Sequence, residues 1–116
     1  MDGEEPLHFS EAAFDAEVLR SELPVLVDFW SEGCGGCRQL APTVDRIARE
    51  YAGRARVGKL DVGAHTGIAI RYQIRRIPTL LLFQDGKVVA QYTGAAPLAE
   101  IQKMLDAHLA RKEKTD

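Results

Sequence analysis

Cysteine is scarce: two residues in 116 cannot build the disulfide framework that small secreted domains rely on. Histidine is scarce too, and His8, His65 and His108 are scattered without the spacing of metal ligands. No apolar run approaches the roughly 18 residues of a membrane span, so no membrane association is expected. There is no excess of positive charge. The formal net charge is −2, which argues against a nucleic-acid binder. No Gly-rich nucleotide loop follows a candidate strand, so no cofactor is implied. The opening MDGEEPLHFSEAAF has neither the basic nor the apolar region of a signal peptide, and the expected location is the cytoplasm.

What remains is the composition of one soluble globular domain over 1–116, with 46% hydrophobic and 28% charged residues. Residues 1–8 and 111–116 are expected to be flexible ends. The charge is unevenly spread. Residues 1–32 hold nine acids and one base, whereas residues 33–76 hold nine bases and three acids. Most of this is solvated helix surface.

Hydrophobic spacing predicts an α/β chain. Ser10 can cap a helix over about 11–20, with Ala13, Phe14, Val18 and Leu19 on one face. Val25 to Trp30 reads as a buried central strand, and 33–36 as a turn. Leu40, Val44, Ile47, Ala48 and Tyr51 define a helix from Cys37 to about Tyr51, with Pro42 inside it as a kink. Strands follow over 56–61 and 79–83, separated by a short helix over 66–73 that counts Ile68, Ile70 and Tyr72 among its apolar members. Asp85-Gly86 is a hairpin turn into a strand over 87–92, which Gly94 ends. Pro97 opens a last helix from Leu98 to about Ala110. The expected architecture is a mixed sheet of four to five strands with about four helices on both faces.

Cys34 and Cys37 admit three readings. As a structural disulfide the small ring is worth only roughly 2 kcal/mol by chain entropy, against about 4.7 for a loop of about 100 residues. As a zinc site the pair lacks two further ligands within the chain, so only a metal bridging two subunits would serve. As a redox dithiol it is well placed. A strand ends and a helix begins at Cys34, and a helix N-terminus stabilises the thiolate that attacks disulfides. Cys37, one turn on, is within reach to resolve a mixed disulfide. The third reading is favoured. Independently, the carboxyl of Asp28 sits in an otherwise apolar strand, and burial there raises its pKa towards neutrality. A plain pairing of Asp28 with Lys59 is the alternative.

The stretch Val27-Asp28-Phe29-Trp30-Ser31-Glu32-Gly33-Cys34-Gly35-Gly36-Cys37-Arg38, together with Pro42, Val57-Gly58-Lys59-Leu60-Asp61, Ile74-Arg75-Arg76-Ile77-Pro78-Thr79 and Gly94, strongly resembles the thioredoxin family from about Phe9 to Leu109. The resemblance implies the thioredoxin fold and protein-disulfide reductase activity. It implies Cys34 as nucleophile and Cys37 as resolving thiol, joined as a redox disulfide. Asp28 would exchange a proton with the second cysteine, beside Lys59. Pro78 would follow a cis bond, and the backbone of Ile77 would pair with substrate. Trp30, Gly35, Gly36, Arg76 and Gly94 would complete the substrate surface. Expected partners are protein disulfides and a thioredoxin-reductase-type electron donor, with the chain a monomer. A thioredoxin-fold binding module or redox switch with little turnover is the alternative.

The chain departs from the family pattern at four places. Gly36 stands for the usual proline, which makes the dithiol slightly more oxidising. Gly33 stands for a second tryptophan and Arg38 for a lysine. Arg76 stands for a frequent glycine, and with Arg75 it favours substrates with acidic residues near the disulfide, or a specialised reductase.

Overall fold

The computed structural model describes the backbone of residues 5–115 and the side chains of residues 5–109. Five strands form one sheet: β1 (Leu7–His8), β2 (Val25–Trp30), β3 (Arg56–Asp61), β4 (Thr79–Gln84) and β5 (Lys87–Thr93). Three α-helices accompany them: α1 (Gly35–Glu50), α2 (Thr66–Arg71) and α3 (Leu98–Thr115). A π-helical turn over Asp15–Leu19 is the fourth helical element among the described residues.

The strand order is β1-β3-β2-β4-β5. β1 and β2 run parallel to β3, while β4 runs antiparallel to β2 and β5. The side-chain period of two divides the central strands between two cores. Leu26, Val57, Leu80 and Leu82 face α1 and α3, where Leu40, Ile47, Ile101 and Leu105 meet them. Val25, Val27, Phe29, Leu81 and Phe83 face the other way, against Phe14 and Val18 of the N-terminal segment and Ile68 of α2. β2 is covered on both faces, which is why it reads as an unbroken apolar run interrupted only by Asp28.

Four expectations change. The N-terminal helix is a short π-turn and not an α-helix over 11–20. Ser10 still accepts the Ala13 N–H, but Arg20 N–H reaches back five residues to the Asp15 carbonyl. The end expected to be flexible up to residue 8 contains β1, held by pairing of Leu7 with Gly58 and His8 with Lys59. Gly58 makes that close approach: a Cβ there would collide with the Phe9 ring and lie 2.9 Å from the Leu7 carbonyl oxygen. α1 begins at Gly35, two residues before the expected start, because Cys34 caps it. α3 continues to Thr115, past the expected end near Ala110. Residues 1–4 and 116 lie outside the described residues.

Candidate active site

β2 delivers the chain to the C-terminal edge of the sheet, and Gly33 turns it with a φ of +80° that favours glycine. Cys34 follows in extended conformation as the N-cap of α1. Its Sγ accepts the backbone N–H of Cys37 at 3.1 Å, satisfying one of the donors that every helix start leaves free. Cys34 and Cys37 are joined as a disulfide with Cα atoms 5.2 Å apart. Cys34 is partly exposed and Cys37 is buried at 5%, so the two sulfurs differ in access.

Against this turn lies the loop ahead of β4. The Ile77–Pro78 bond is cis. A Cβ on Gly36 would sit 3.1 Å from Pro78 Cδ, so the dithiol turn touches the proline ring. Gly94, at φ +101°, donates its N–H to the Pro78 carbonyl at 2.8 Å and closes the far side. Ile77 N–H and C=O make no hydrogen bond among the described residues. Arg76 is exposed, and its carbonyl accepts the Thr79 hydroxyl at 2.6 Å. Gly35 is exposed with open space around it.

Within β2, between Lys59 of β3 and Leu80 of β4, Asp28 is 1% exposed and neither carboxyl oxygen has a hydrogen-bond partner among the described residues. Burial pushes its pKa up to about 6, with Lys59 pulling in the opposite direction. Lys59 is the register partner of Asp28 on β3, and its Nζ stands 4.9 Å from the Trp30 ring centroid. Trp30, Lys59, Cys37 and Arg38 share the wall of a cleft of ≈ 390 Å³ that opens beside Gly33. A side chain at Gly33 would find open space there.

Most of the residues singled out from sequence lie in two groups, while Gly35 and Arg76 stand exposed outside both. One is the turn–proline contact of Cys34, Gly36, Pro78, Ile77 and Gly94. The other is the Asp28–Lys59–Trp30 set on the Cys37 side. Sequence reading missed the Thr79 hydroxyl tie to Arg76, which only tertiary structure reveals. Ile70, counted among the apolar members of the short helix, has a side chain that is 71% exposed. Among the described residues no three His, Cys, Asp or Glu side chains converge to hold a metal, and no helix is long and apolar enough to cross a membrane.

A dithiol at the mouth of a helix, on the end of a central strand and against a cis-proline loop, defines a thiol–disulfide oxidoreductase. The Thioredoxin family model matches residues 5–107. The chain is 45% identical over 96 residues to thioredoxin C-2 of Corynebacterium nephridii, covering 83% of this chain and 89% of the relative. It is 46% identical over 103 residues to a thioredoxin of Acidithiobacillus ferridurans, covering 89% and 95%, and 45% identical over 100 residues to thioredoxin 1 of Synechococcus elongatus, covering 86% and 94%. The chain belongs to the thioredoxin family.

Proposed function

We propose that this thiol–disulfide oxidoreductase works as a reductant of protein disulfides in a reducing compartment such as the cytoplasm, with Cys34 attacking first. In the reduced form, Cys34 thiolate attacks one sulfur of a substrate disulfide. A Cys34–substrate disulfide forms and the other substrate sulfur leaves as a thiolate. Cys37 then gives its proton to the Asp28 carboxylate and attacks Cys34 Sγ. The Cys34–Cys37 bond forms, and the second substrate sulfur leaves reduced. Two electrons pass to the substrate, and a thioredoxin-reductase-type donor returns them.

The division of roles is carried by one observation: Cys34 is the accessible N-cap of α1, while Cys37 is buried behind it. Thiolate character is favoured at a helix N-terminus. A carboxyl with a pKa near 6 is mostly ionised at neutral pH and still basic enough to accept a proton. The free N–H and C=O of Ile77 suit pairing with an extended substrate strand.

The test is trapping. Incubated with a disulfide substrate, reduced Cys37→Ser is expected to accumulate a stable mixed disulfide and Cys34→Ser none. Accumulation by Cys34→Ser alone would reverse the assignment, and no reduction by the native protein would overturn the reading.

A further inference from the structure

The sheet buries two polar side chains among the described residues, Asp28 of β2 and Thr79 of β4. Asp28 has its place in the proton step proposed above. Thr79 has no such role. It opens β4 ahead of Leu80, Leu81, Leu82 and Phe83, paired with Phe29 on one side and Thr93 on the other. A buried hydroxyl costs stability unless it is hydrogen-bonded, and valine has the same branched shape without that cost. The hydroxyl is therefore the feature of this residue that packing does not explain.

The Thr79 hydroxyl donates to the Arg76 carbonyl at 2.6 Å, and the Gly94 N–H donates to the Pro78 carbonyl at 2.8 Å. Two carbonyls of the loop ahead of β4 are thus committed within the protein. Ile77 lies between them, and its own N–H and C=O make no hydrogen bond among the described residues.

The Arg76 carbonyl and the Ile77 N–H belong to one peptide unit, and that unit is trans. A trans peptide is planar and holds its C=O and N–H on opposite sides. With the oxygen fixed on Thr79, the Ile77 N–H points away from Thr79 and cannot turn without breaking the 2.6 Å bond. Remove the hydroxyl, and the plane is free to rotate, because Arg76 is exposed and water can satisfy its carbonyl.

We infer that Thr79 is a positioning residue for disulfide exchange: by holding the Arg76 carbonyl it aims the Ile77 N–H at a backbone carbonyl of an extended substrate segment. The inference rests on the disulfide-exchange reading above and on the pairing of Ile77 with substrate. The hydroxyl engages Arg76 and neither sulfur, so it acts on the binding of substrates that carry peptide groups and not on the sulfur chemistry.

The test compares two disulfides: a cystine peptide, and dithiobis(nitrobenzoate), which has no peptide group. Thr79→Val keeps the branched shape and removes the hydroxyl. It is expected to raise KM for the peptide about three- to tenfold at unchanged kcat, the effect of one misaligned hydrogen bond, and to reduce the aromatic disulfide at the native rate. Thr79→Ser restores the hydroxyl and should bring the peptide KM back to within about twofold of native. Equal losses on both disulfides in Thr79→Val, or no recovery in Thr79→Ser, overturn the positioning role. An unchanged peptide KM overturns it too and leaves disulfide exchange intact. A second measurement keeps Thr79 in place and does not depend on the valine variant folding. In the mixed disulfide of Cys37→Ser with the peptide, the Ile77 amide proton should resonate downfield of its position in the adduct with thionitrobenzoate. An amide at the same position in both adducts overturns the inference. A native protein that reduces neither disulfide overturns the exchange reading and the positioning role with it.

Discussion

Gly36 and Pro78 meet closely: a Cβ on the glycine would stand 3.1 Å from the proline Cδ, tighter than ordinary van der Waals contact, whereas one on Gly33 or Gly35 would meet nothing. The turn is thereby kept short of atoms against a ring that the fold holds buried.

Gly36 leaves the reduced, open turn with backbone freedom that proline would remove, a difference of ~0.4–1 kcal/mol for such exchanges once the Pro78 ring yields the few tenths of an ångström that the added Cβ needs. At ~30 mV per 1.4 kcal/mol for two electrons, Gly36→Pro is expected to have a potential about 10–20 mV more negative than the native protein. Equilibration of both forms with a glutathione buffer measures it. Equal potentials, or a less negative one for the proline form, reject the idea.

Asp28 binds its proton more tightly in the folded protein, at about 6, than in the unfolded chain, near 3.8. The stability contributed by that proton is complete below the lower value and is lost as pH rises through about 6. Asp28→Asn carries no such dependence. Relative to the native protein, it is expected to gain roughly 2–3 kcal/mol between pH 4 and pH 8 in urea unfolding. A pH-independent difference would contradict the burial of an ionisable carboxyl.

Lys59 holds the Asp28 pKa below what burial alone would give. Lys59→Met keeps an apolar stem beside Trp30 and removes the cation. The pH profile of single-turnover disulfide reduction should then shift to higher pH, with the rate at pH 7 falling roughly two- to tenfold. An unmoved profile would separate Lys59 from the proton step.

Gly58 accommodates Phe9 across the β1–β3 pairing, so Gly58→Ala must displace the ring or the Leu7 carbonyl. A loss of roughly 1–3 kcal/mol is expected on thermal or urea unfolding. Combining it with Phe9→Ala should recover part of that loss, and strict additivity would show that the two residues do not collide.

Most of the sheet was readable from sequence because long-range pairing left local marks. β2 and β4 show apolar runs, β5 follows the Asp85-Gly86 turn, and the structure places β2 to β5 within about a residue of their expected bounds. β1 left no mark: two residues are too few for a period, and its pairing depends on a glycine 51 positions away in the chain, at Gly58. The π-turn was misread because Phe14 and Val18 are spaced alike for either helix, and the ladder, not the side chains, separates the two. At the site, the dithiol and its proline partner follow from motif spacing. The exposure of Ile70 does not, since an isoleucine among Ile68 and Tyr72 looks like core until α2 has been docked.

Because Cys34 Sγ also accepts the Cys37 N–H, the reacting atom marks where the helix starts. Serine is among the preferred residues at such a position. Cys34→Ser should therefore retain the onset of α1 while being unable to form a covalent adduct. That makes it a bystander form: partners can associate with it and come away again, so the strength of the encounter can be weighed without the bond that normally follows.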